Sequence, residues 1–131
     1  MRRMPDLSLV PVPGLPPSNP TYSQAVRVGN LIYVSGQLGI DPATGNVVPG
    51  GQVAEYRQAL ENLTLVLQSA GITLARVFKT TIYMTNVDEL PELNKIYAEY
   101  FPDSPPAKTG VEVSRLAMGG KIEVEAIALA D

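Results

Sequence analysis

Residues 105–128 read PPAKTGVEVSRLAMGGKIEVEAIA, and the placement of charge in this stretch decides how the chain is read. It parses as two alternating strands joined at Gly119 and Gly120, a final hairpin. In the second strand Ile122, Val124, Ala126 and Ala128 point one way, while Glu123 and Glu125 share the other face with Ile127 and Leu129. With a tight loop centred near Met118 and Gly119, the pattern predicts Ser114 opposite Glu123, Glu112 opposite Glu125, and Lys108 further out on the same side. Carboxylates set opposite one another repel, so this face needs water, a cation or a ligand's polar groups to meet it. It is a candidate site or subunit interface, against the plainer alternative of acids pointing at solvent.

Upstream, residues 1–20 are proline-rich and predict an extended arm with room for a short edge strand around Leu7 to Val10. A hairpin follows, Gln24 to Val28 and Leu31 to Ser35 about a Gly29-Asn30 turn. Gly36 and Gly39 flank Gln37, marking either a close backbone approach or a bulge. Asp41 to Gly51 is a loop without the Lys-Ser/Thr end of a phosphate-binding motif. From Gln52 to Ala70, Val53, Tyr56, Leu60, Leu63, Leu67 and Ala70 recur at steps of three and four, one stripe on a helix that Gly71 ends. Ala75 to Thr85 is rich in β-branched and aromatic residues and predicts a strand. Asp88 is placed to cap a second helix, with Pro91 in its first turn and Leu90, Leu93, Tyr97 and Tyr100 as its apolar stripe. The order predicts an α+β fold: one mostly antiparallel sheet with two helices on one face. The other sheet face then needs water or another subunit, and its aliphatic half argues for a symmetric oligomer.

The 131 residues suit one domain, residues 1–131, with 1–20 as its arm. A net charge of −3 provides no footprint for nucleic acid or an anionic membrane. Cysteine and histidine are both absent, which removes the usual zinc sites and Ser-His or Cys-His nucleophilic catalysis. Acid or base chemistry falls to Asp, Glu, Lys, Tyr or bound water. Arg2 and Arg3 precede an apolar stretch that prolines cut too short for a signal peptide. No segment reaches the roughly 20 apolar residues of a membrane span, so a cytoplasmic protein is expected.

Taken in order, YSQAV (22–26), IYVSGQLGIDPATG (32–45), ALENL (59–63), KTTIYMTNVDEL (79–90), NKIYAEYF (94–101), PPAKTGVEV (105–113) and KIEVEAIA (121–128) resemble the RidA (YjgF) family. The resemblance covers Tyr22 to Leu129 and implies a chorismate-mutase-like subunit fold, a homotrimer, and ligand clefts between subunits. It also implies hydrolysis of 2-enamine or 2-imino acids to 2-keto acids and ammonia, with no metal or organic cofactor. Carried over by position, the family's water-positioning glutamate falls on Glu123, its cleft tyrosine on Tyr22 and a cleft asparagine on Asn94. Ser35 and Gly36 match its SGQ segment, and Lys108, Thr109 and Gly110 stand in its carboxylate-binding stretch. The chain departs from the family there: its substrate-carboxylate arginine is Lys108, and many members have cysteine where this chain has Gly110. Pro20-Thr21 also replaces the usual Gly-Pro before the tyrosine.

Arginine grips a carboxylate with a planar fork, whereas lysine is a flexible point charge. The expected deaminase is therefore weak or altered. The alternative is a non-catalytic trimer that binds a small carboxylated metabolite in the same clefts. An RNA-cleaving activity, also attributed to members of the family, is disfavoured by the acidic balance and absent histidine. A Schiff base on Lys108 would require burial to lower its pKa.

Overall fold

A computed structural model of the chain describes residues 6–130, so Arg2 and Arg3 lie outside the described residues. The strands are β1 (Leu7–Leu9), β2 (Ala25–Val28), β3 (Leu31–Leu38), β4 (Val77–Met84), β5 (Ala107–Glu112) and β6 (Ile122–Leu129). The helices are α1 (Gln52–Ser69) and α2 (Leu90–Tyr100). The six strands form one sheet in the order β1-β2-β3-β6-β4-β5, and every neighbouring pair is antiparallel except β4–β5.

The predicted final hairpin is absent. β4 lies between β5 and β6, and β5 runs parallel to β4 after the α2 crossover that a parallel neighbour requires. The residues between β5 and β6 cross the end of β4, passing through a 3-10 turn at Ala117–Gly119. Glu125 therefore sits opposite Thr81 and Glu123 opposite Tyr83. Glu112 lies opposite Met84, and its carboxylate accepts the Val87 N–H at 2.9 Å. The physical reason is in β6 itself. Ile122, Val124, Ala126 and Ala128 are buried and the residues between them half-buried, so this strand is stabilised most at the centre of the sheet, with partners on both edges.

Those four residues pack with Ile32, Val34, Ile82 and Met84 beneath Tyr56, Leu60, Leu63 and Leu67 of α1 and Leu93, Ile96 and Tyr97 of α2. Each fully buried Leu or Ile contributes about 1.5–3 kcal/mol. α1 ends in a Schellman motif: Gly71 takes φ +82°, its N–H bonds the Gln68 carbonyl, and the Ile72 N–H bonds that of Leu67. Asp88 does not cap α2. Asn86 does the capping one turn earlier, its Oδ1 accepting the Asp88 N–H at 3.0 Å at the start of a 3-10 turn, Val87–Glu89, that runs into the helix. Pro91 occupies the first turn of α2 as expected.

Buried polar groups tie these layers together. The Gln37 amide donates to Gln24 Oε1 at 2.7 Å, and Gln24 donates to the Leu15 carbonyl at 3.0 Å. With Val12 and Leu15 buried, this chain of bonds holds the proline-rich arm against β3. Asn62 of α1 donates to the carbonyls of Leu38 and Ile40, fixing the end of β3. Gly39 lets that end reach the helix, since a Cβ there would lie 2.5 Å from the Glu55 carbonyl oxygen. Because that obstacle is backbone, Gly39→Ala is expected to destabilise the protein by about 1–3 kcal/mol. A lower urea midpoint with unchanged slope would register this loss.

Candidate functional site

Two separate groups of side chains emerge from this topology. The first surrounds a cleft of about 630 Å³ between the arm, the end of β3 and the turn before β6, where Tyr22, Ser35, Gly36 and Glu123 meet. The register of β3 on β6 shifts between Val34 and Gln37, a bulge that turns Gly36 towards Glu123. A Cβ on Gly36 would lie 2.7 Å from both Cδ and Oε2 of Glu123. Gly36 thus combines a bulge in the strand with a close approach, whereas Gly39 provides a close approach alone.

Glu123 is half-buried, and no described residue donates a hydrogen bond to its carboxylate. Burial first, and then the charge of Glu125 two residues along the same face, raise its pKa above the ordinary 4.5. Glu125 instead accepts a hydrogen bond from the Tyr83 hydroxyl at 2.5 Å, and that bond is the main reason the tyrosine's own pKa is raised. Tyr22 is 38% exposed, and its hydroxyl accepts the Ser18 N–H at 3.1 Å. Ser35, which lines the cleft, donates its hydroxyl to the Ser23 carbonyl, which leaves its oxygen free to accept.

The second group lies at the far edge of the sheet. Lys108 Nζ donates to Asn94 Oδ1 at 2.8 Å and stands 4.5 Å from the centroid of the Tyr97 ring. Partial loss of solvent around the ammonium lowers its pKa, although the residue as a whole is exposed. Gly110 lies two residues further along the same face, with only about 10 Å³ of free space among these side chains. Thr109 is not part of the group: it faces the other way and accepts a hydrogen bond from Lys79 Nζ at 2.9 Å.

Register settles how the two groups relate. Lys108 is the strand neighbour of buried Thr80, on the helix side of the sheet, whereas Glu123 is the neighbour of Tyr83 on the open side. The expectation that Lys108 shares a face with Glu123 is corrected accordingly. The open side also carries Tyr33, Val111 and Ile127, with Tyr33 44% and Val111 36% exposed. Tyr83 carries no sequence signal that marks it as a site residue, and Glu125 is marked only by sharing a face with Glu123. Alternation places Glu125 beside Glu123, but only the pairing of β4 with β6 brings the Tyr83 hydroxyl to it. Among the described residues no group of three or more His, Cys, Asp or Glu is placed to hold a metal ion, and no helix is long and apolar enough to cross a membrane.

The family model described as Endoribonuclease L-PSP matches residues 13–130. A 2-iminobutanoate/2-iminopropanoate deaminase of Capra hircus is 45% identical over 108 residues, 82% of this chain and 79% of the relative. A protein of unknown function of the Rid family from Yersinia pestis matches in structure with a TM-score of 0.89 at 39% identity, covering 94% of this chain and 98% of that one. E. coli TdcF, solved with bound serine, matches with a TM-score of 0.85 at 28% identity over 93% of this chain and 98% of its own.

Proposed function

The chain belongs to the endoribonuclease L-PSP (RidA/YjgF) family, and from that premise we propose that it hydrolyses 2-imino acids to 2-keto acids and ammonia in clefts shared between copies of a homotrimer. The observation that carries this reading is Glu123: a half-buried carboxylate of raised pKa, without a hydrogen-bond donor from any described residue, facing a cleft beside Tyr22 and Ser35. A carboxylate in that state is a stronger base than an exposed one and is open to a water molecule. The deaminase relatives and the serine held by TdcF support a small amino-acid-like ligand.

Lys108 is the cation proposed to hold the ligand's carboxylate, with Asn94 and Gly110 beside it. Because Lys108 and Glu123 occupy opposite faces of one sheet, a ligand touching both needs Lys108 from one copy and Glu123 from another. The partly apolar open face supports such an assembly. Thr109, on that face, is then proposed as a contact between copies rather than with the ligand.

The lysine favours a second reading, a trimer that binds the carboxylate without turning it over. One comparison separates the two: ammonia and keto-acid release from freshly generated 2-iminobutanoate by the native protein, Lys108→Ala and Lys108→Arg. A hydrogen-bonded charge is worth about 1.5–3 kcal/mol, so Lys108→Ala is expected to raise KM by about 10–150-fold while Lys108→Arg stays near native. A silent native protein that gains turnover as Lys108→Arg would establish the binding reading instead. RNA cleavage draws no support from a chain with no histidine and a net charge of −3.

A further inference from the structure

We propose that Asn94 and Tyr97 are positioning residues that hold Lys108 in one carboxylate-binding pose, supplying the directionality that a guanidinium carries in its own plane. The ligand side of this inference rests on the proposed function; the fixing of the lysine does not.

All six residues of β5 are exposed, so a lysine there would ordinarily sample many rotamers in solvent. Lys108 is instead held from two directions. Asn94 Oδ1 accepts from Nζ at 2.8 Å, and the Tyr97 ring lies 4.5 Å beneath the charge, close enough for a cation–π attraction. The two anchors are three residues apart on α2, hence on one side of the helix. Tyr97 is itself fixed. It is 6% exposed, packs on Phe101 with ring centroids 4.5 Å apart, and shares a 2.7 Å hydrogen bond with Thr80, the residue paired with Lys108 in the sheet. Helix, ring and strand therefore form a closed circuit around the lysine.

The chemistry of the amide sets its orientation. An ammonium only donates, so the asparagine must present its oxygen and keep its nitrogen turned away. Nζ carries three N–H bonds and no other described residue accepts from it, which leaves two for the two oxygens of a carboxylate.

Two measurements test this. In ligand-free protein with 15N-labelled lysine, the Lys108 ammonium should give a resolved, slowly exchanging signal that disappears in Asn94→Ala. Calorimetry with 2-oxobutanoate should show binding weakened about 5–10-fold by Asn94→Ala and by Tyr97→Leu, but within about twofold of native in Tyr97→Phe, which keeps the ring; in a Lys108→Arg background Asn94→Ala should cost less than about twofold, the coupling expected of residues that act through one another. Asn94 is exposed, so its variant tests the idea even if Tyr97→Leu fails to fold. Equal losses in the lysine and arginine backgrounds would mean that Asn94 binds the ligand itself and would overturn the inference, as would the absence of an ordered ammonium. An ordered, Asn94-dependent ammonium in a native protein that takes no 2-oxobutanoate would uphold the fixed lysine and remove the proposed carboxylate anchor.

Discussion

Glu123→Gln is expected to lower ammonia release from 2-imino acids by about 10²–10⁴-fold, the range lost with a positioned general base. The amide keeps the shape of the side chain but cannot take a proton from water at neutral pH. In the proposed reaction that transfer accompanies attack: the water oxygen bonds to the iminium carbon while its proton passes to Glu123. The carbinolamine nitrogen then recovers that proton; as the carbon–nitrogen bond breaks, Glu123 takes the proton of the hydroxyl and passes it to the departing nitrogen, so that ammonium leaves and a keto acid remains. Water and an iminium enter, ammonium and a keto acid depart, and Glu123 ends as it began. Only the ionised carboxylate can begin the cycle. Since burial and Glu125 raise its pKa above the ordinary 4.5, kcat/KM should fall, as pH is lowered, at a pH above the ordinary glutamate range. Removing the neighbouring charge in Glu125→Gln should lower the Glu123 pKa and move that limb to lower pH. A Glu123→Gln protein that releases ammonia at the native rate would remove Glu123 from the chemistry and the proposed mechanism with it.

What could be read from the sequence follows the range of the interactions involved. The α1 stripe and the alternation of β3 and β6 are local periodicities, and the structure buries Tyr56, Leu60, Leu63 and Leu67 of the first, with Val53 and Ala70 partly buried, and Ile32, Val34, Ile122, Val124, Ala126 and Ala128 of the second. Partner choice among strands is not local. A Gly-Gly pair between two alternating segments carries the same short-range signal whether the strands pair with each other or, as here, admit β4 between them. The sidedness of Lys108 depended on that choice, so it was assigned to the wrong face. On α1, Gln52, Glu55 and Asn62 are nearly fully buried although their type reads as outward-facing. Their partners explain why: Glu55 accepts the Lys121 N–H at 2.7 Å, and Gln52 accepts from Thr85 and Asn86. These are backbone groups more than thirty residues away, beyond any local pattern. Tyr22, Ser35, Gly36 and Glu123 could be named because each stands in a motif of the family, and the fold places all four at one cleft.

Gly36 converts this geometry into a second large expected effect. In Gly36→Ala the new methyl would sit 2.7 Å from Cδ and Oε2 of Glu123 and 3.0 Å from its Cγ. These atoms are the mobile end of a half-buried side chain, so the carboxylate yields rather than the backbone. That contrasts with Gly39, where helix backbone stands in the way. The two alanine variants should consequently fail differently, Gly39→Ala in stability and Gly36→Ala in rate. Displacing a general base by about 1 Å can cost on the order of a hundredfold, and Gly36→Ala is expected to lose that much in kcat with KM and the urea midpoint near native. Ligand affinity should survive because the proposed carboxylate anchor, Lys108 of another copy, is left unchanged. A native kcat in Gly36→Ala would mean that the position of the Glu123 carboxylate does not govern the reaction, and that the bulge between Val34 and Gln37 shapes the strand rather than the chemistry.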